Sequence, residues 1–99
     1  MNDEQRQFHM ILQEAPARLT PRQAAWLLNL QEHDIPVLVS ANLLRPLGNP
    51  GQNCVKYFAT ISMRELARDA AWLGKATNAV LKHWREKNAR RKGSEAVNS

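Results

Sequence analysis

Cysteine is nearly absent: Cys54 stands alone in 99 residues. That excludes an internal disulfide framework and points to a reducing compartment. No apolar run approaches the roughly 20 residues of a membrane span. The opening Met-Asn-Asp-Glu-Gln-Arg has no apolar stretch behind it, so no secretory leader is expected and the chain reads as cytoplasmic. With only four scattered glycines there is no P-loop and no dinucleotide fingerprint. His9, His33, His83 and Cys54 lack metal-ligand spacing, so neither a metal nor a cofactor is expected. His33-Asp34 sets a base beside a carboxylate, but neighbours at a helix start are not expected to face each other. No nucleophile is placed beside them either, so no catalytic residue is assigned and the chain is not read as an enzyme.

What is present describes one small soluble domain. Apolar residues make up 43% and charged residues 23%, enough for a modest core but not for a large enclosed substrate cavity. The net charge of +5 is unevenly spread. Residues 1–48 hold four basic and five acidic side chains, a balance of −1, and residues 49–99 hold ten and four, a balance of +6. A basic second half suits nucleic acid or another acidic partner, and equally suits a solvated helix face.

Hydrophobic spacing and end signals divide the chain. Phe8, Ile11 and Leu12 give residues 4–14 a narrow apolar stripe, ended by Ala15-Pro16. Thr20, Pro21 and Gln23 form a helix start with a capping box, and Asn29 closes that helix. Asp34 is a second N-cap candidate, followed by Pro36 in the first turn and by Leu38, Val39 and Leu43. Leu44-Arg45-Pro46-Leu47 and Val55-Lys56-Tyr57-Phe58 flank a Gly/Pro/Asn-rich stretch, which predicts a short β-hairpin. Ser62 and Glu65 predict another capping box, with Ile61 stapled onto Leu66. A last helix is expected from Asp69 or Thr77, or unbroken. Leu73, Ala76, Val80 and Trp84 line one side of it, and Lys75, Asn78, Lys82 and Arg85 another. Trp26, Trp72 and Trp84 are expected to pack in or near the core. Residues 87–99 lose the apolar pattern and predict a basic, disordered tail.

Helix, turn, helix, hairpin, helix is the layout of a winged helix-turn-helix. The run Leu19-Thr20-Pro21-Arg22-Gln23-Ala24-Ala25-Trp26-Leu27-Leu28-Asn29-Leu30 resembles the opening helix of excisionase/MerR-like winged-helix domains. Ile35, Leu38 and Val39 fall where that family buries its second helix. Leu43-Leu44-Arg45-Pro46 resembles its entry to the wing, and Tyr57-Phe58 its return strand. The expected fold is therefore mostly α with a small β-hairpin: an N-terminal helical extension (1–18), a winged helix-turn-helix (19–86) and the tail (87–99).

The resemblance implies a DNA-binding regulator or architectural accessory with duplex DNA as partner. It places Arg22, Arg45 and Lys56 as phosphate ligands, Gln52 and Asn53 at the wing tip, and Lys75, Lys82 and Arg85 beside the site. It also implies pairing through the C-terminal helix, so a monomer or weak homodimer is expected. This chain departs from the pattern in the recognition helix, where Glu32, Asp34, Pro36, Val37 and Ser40 supply no cation and two carboxylates. The alternative is a protein-interaction module on the same scaffold that uses Pro36, Val37 and Ser40 of helix 35–43.

Overall fold

The computed structural model describes residues 2–10 and 16–98, apart from the side chains of 8–10 and 91–98. The order is α1 (Asp3–Met10), β1 (Arg18–Leu19), α2 (Pro21–Leu28), a 3-10 turn (Glu32–Asp34), α3 (Ile35–Ser40), β2 (Phe58–Ala59), α4 (Thr60–Ala67) and α5 (Ala70–Asn98). The fold is mostly helical with one small two-stranded antiparallel sheet. The stripe expected at Phe8, Ile11 and Leu12 and the helix end at Ala15 lie outside the described residues.

Helix α2 starts as its sequence dictates. Gln23 N–H donates to Thr20 Oγ1 at 3.2 Å, Thr20 N–H donates to Gln23 Oε1 at 3.1 Å, and Pro21 occupies the first turn. Asn29 takes the left-handed conformation at φ 57°, and Leu30 N–H returns to Ala25 O at 2.8 Å. The chain turns at once into α3, which ends where Asn42 goes left-handed at φ 61°.

Asp34 does not cap α3. It is 5% exposed, and its side chain makes no bond to that helix's first turn. Oδ2 accepts from Gln31 N–H at 3.1 Å, and Oδ1 accepts from Trp84 Nε1–H at 3.0 Å. At the other end of α3, Trp72 Nε1–H donates to Leu43 O at 2.9 Å. Trp72 meets the segment after α3 and Trp84 the residue before it, so α5 runs antiparallel along α3 and fastens α3 at both ends. The two indoles stand about 18 Å apart along α5 at 1.5 Å per residue. His33, adjacent in sequence, does turn toward Asp34, with Nε2 at 3.8 Å from Oδ1, because both side chains close on Trp84.

The predicted β-hairpin does not form. Residues 44–57 double back, but a single backbone bond, Leu47 N–H to Tyr57 O at 2.8 Å, crosses the loop. Pro46 and Pro50 lack the N–H that a ladder needs, and Gly48 at φ 69° turns the chain away from an extended run. The return strand pairs instead with the segment before α2, in the register Arg18↔Ala59 and Leu19↔Phe58. Thr60 extends this pairing: its N–H reaches Ala17 O at 3.0 Å and its hydroxyl donates to Pro16 O. Arg18 stacks its guanidinium 4.0 Å from the Tyr57 ring centre on the open side.

Because Thr60 is tied to β1, α4 begins there and not at Ser62. Its N-cap is Ala59, which makes no side-chain cap bond. Ile61 is 71% exposed and staples nothing. Asp69 Oδ1 accepts Trp72 N–H at 3.1 Å and starts α5, which passes Gly74 and Thr77 unbroken. The helix continues through 87–98, where the loss of apolar pattern predicts a disordered tail. Residues 87–92 contain no glycine or proline, and their Lys, Ala and Arg residues are good helix formers.

The core is Leu19, Ala24, Ala25, Leu28, Ile35, Leu38, Leu44, Phe58, Met63, Trp72 and Ala76. Phe58, Leu19, Ile35, Leu38 and Met63 are its largest fully buried side chains. Every helix from α2 to α5 contributes, as do both strands.

Two substitutions test this frame. Thr20→Ala removes the cap acceptor of α2 and is expected to lower stability by about 1 kcal/mol. Trp84→Phe keeps an aromatic ring and deletes the donor to a buried carboxylate, with an expected loss of about 1.5–3 kcal/mol. Urea unfolding measures both. A Trp84→Phe midpoint equal to wild type would remove the clamp from the account.

Candidate nucleic-acid interface

Helix α3 is buried along Ile35 and Leu38 and open along Pro36 and Ser40. On its open side lies a groove of about 560 Å³. Pro21 at the start of α2 forms one wall. Glu32, His33, Ile35, Pro36, Val39 and Ser40 form the α3 side, and Lys56 and Phe58 of the returning loop form the third. The lining is apolar at its base, with one carboxylate, one imidazole, one hydroxyl and one ammonium around it. No residue of α5 takes part.

The residues singled out from sequence are placed as follows. Lys56 is half-buried in this groove, facing the α3 wall. Arg22 is exposed on the first turn of α2, in an ion pair with Glu4 at 3.7 Å and 5.3 Å above the Trp26 ring. Arg45 is exposed and lines a second groove of about 580 Å³, formed by residues 42–48, the sheet and α4. Phe58 borders both grooves. Gln52 and Asn53 are exposed at a turn of the loop next to exposed Cys54. Of the alternative set, Pro36 and Ser40 are exposed and line the first groove, while Val37 is half-buried and does not.

Lys75, Lys82 and Arg85 are not brought to the groove. α5 does pack on α3, but it uses the face that carries Trp72, Ala76 and Trp84. At 100° per residue the three cations lie outside the arc spanned by those residues, and all three are exposed. Lys87 turns toward the Trp84 ring, 4.9 Å from its centre. That indole also receives His33 and His83 edge-on at 5.1 and 4.8 Å.

Burial of Asp34 changes the electrostatics of the α3 start. Of the two carboxylates expected to face a ligand, only Glu32 remains exposed. Sequence reading missed Val39 and Phe58 as wall residues, and missed Asp34 as an anchor. Its nearest signal was Trp84, fifty residues away, which no local pattern connects to it. Among the described residues no group of three His, Cys, Asp or Glu side chains is placed to hold a metal ion, and no helix is long and apolar enough to cross a membrane.

No family model matches the chain, and no curated protein and no solved structure is similar to it.

Proposed function

We propose that this chain is a DNA-binding protein that docks α3 and the 44–57 loop on duplex DNA as a winged helix-turn-helix of the excisionase/MerR-like type, serving as a regulator or an architectural accessory. The observation that carries this reading is the α2–turn–α3 pair, buttressed from behind by α5, with the outer side of α3 left open beside a loop, in a chain of net charge +5. A six-residue helix has no stability of its own, and a rigid scaffold behind it is what a groove-reading helix needs.

The division of labour follows from side-chain chemistry. Arg22, Arg45 and Lys56 supply phosphate contacts, and Gln52 and Asn53 hydrogen-bond to the backbone from the loop. On α3 the Ser40 hydroxyl donates to or accepts from a base edge, and Pro36 makes an apolar contact of the kind that reads a thymine methyl. With no cation on α3, affinity resides in the phosphate contacts, so binding is strongly salt-dependent and only weakly sequence-selective.

A second reading uses the same groove for a protein. Its apolar base at Ile35, Pro36, Val39 and Phe58 suits an apolar side chain of a partner better than it suits phosphate. In that case Pro36 and Ser40 would meet the partner directly, with Val37 on the flank of that face outside the groove.

One titration separates the two. With random-sequence duplex DNA, the Arg45→Glu/Lys56→Glu double variant is expected to bind at least tenfold more weakly. The slope of log K against log salt should fall by about 2, at roughly 0.9 for each phosphate that is no longer neutralised. An unchanged affinity and slope would exclude the phosphate role of these residues. Pro36→Glu should leave the salt slope of DNA binding nearly unchanged, whereas on the protein reading it abolishes partner capture.

A further inference from the structure

Helix α5 divides cleanly into two faces between Ala70 and Arg85. Trp72 and Ala76 are buried, and Leu73, Ala79, Val80, His83 and Trp84 are half-buried. At 100° per residue these seven positions fall within an arc of about 140°. All other positions in the segment are exposed. Lys75, Lys82 and Arg85 fall within about 80° of one another on the exposed side, Arg85 near its middle and Lys75 toward one edge, and span about 15 Å of helix. Residues 70–85 contain no acidic side chain at all. None of the three cations has an ion-pair partner among the described residues.

This face points away from α3, and α5 contributes nothing to the α3 groove. A duplex seated on α3 and the 44–57 loop therefore leaves the three cations unused. Between Asp69 and Glu86 the exposed side carries three cations and no anion, where the usual surface pattern alternates signs. The exposed side holds one large apolar residue, Leu81, and no aromatic, since both tryptophans are turned inward. A membrane-surface helix would carry its aromatics outward. Exposed Ala71, Gly74 and Asn78 keep the surface between the cations low, so a phosphate backbone can approach closely.

We propose that the Lys75–Lys82–Arg85 face of α5 is a second phosphate-binding surface that takes a separate duplex segment, so that one chain holds two pieces of DNA together. The inference rests on the DNA reading above and adds a bridging role to it. The two surfaces act independently, because α5 is fixed to α3 through its other face.

The test uses the full chain and two duplexes, one immobilised and one fluorescent, in low salt. Wild type is expected to be retained on the immobilised duplex and to capture the fluorescent one. The Lys75→Glu/Lys82→Glu/Arg85→Glu triple variant is expected to remain bound to the immobilised duplex while its capture of the second falls at least tenfold. Arg45→Glu/Lys56→Glu should also lose capture. Triple-variant capture equal to wild type overturns the second surface and leaves the first intact. Failure of wild type to bind the immobilised duplex overturns the DNA reading itself. Sedimentation velocity at the assay concentration completes the test: a wild-type monomer supports two surfaces on one chain. A dimer that the triple variant dissolves overturns the proposal in favour of a second copy of this chain on α5.

Discussion

The structure depends on two indole N–H groups. Trp84 donates to the buried carboxylate of Asp34 and Trp72 to the carbonyl of Leu43, and between them they hold α3 at both ends against α5. Six residues make too few intrahelical bonds to offset the cost of nucleating a helix. α3 persists because its neighbours fix it. A carboxylate that is 5% exposed would be costly without partners. Here it is satisfied by Gln31 N–H on one oxygen and by the indole on the other, so the tether is also a condition of burying it.

From that tether the surface follows. Fastening α5 through Trp72, Ala76 and Trp84 turns Lys75, Lys82 and Arg85 outward, and it removes Asp34 from the open side of α3. The groove is left with Glu32 and Lys56 as its charged groups and an apolar base. Of the basic side chains in the second half of the chain, Lys56 is thereby placed at the groove and Lys75, Lys82 and Arg85 are placed away from it. A net charge of +5 read from composition carries no information about that split.

Local signals were legible and distant ones were not. The Thr20–Gln23 capping box, Pro21 in the first turn and left-handed Asn29 stand as the sequence predicts, because each bond closes within a few residues. The Asp69 start of α5 is local in the same way. The hairpin failed for a non-local reason. Val55–Phe58 has strand propensity, but propensity names no partner, and the edge it found belongs to Arg18–Leu19, about forty residues earlier. Once Thr60 was bonded to Pro16 and Ala17, the Ser62 capping box had no helix start to cap. The candidate site divides along the same line. Pro36 and Ser40 are on the open face that the α3 spacing implies, and Lys56 reached the groove only because the loop folds back across Phe58.

The sequence by itself determined the cap and end of α2, the Asp69 start of α5, the turn between α2 and α3, and the residues able to form a core, since these depend on contacts within a few positions. Tertiary structure alone decided which strand pairs with which, which face of α5 is hidden, and whether Asp34 meets solvent or an indole. Those outcomes join residues roughly thirty to fifty positions apart. They are set by which buried groups satisfy one another once the core has closed, and no periodicity along the chain encodes that.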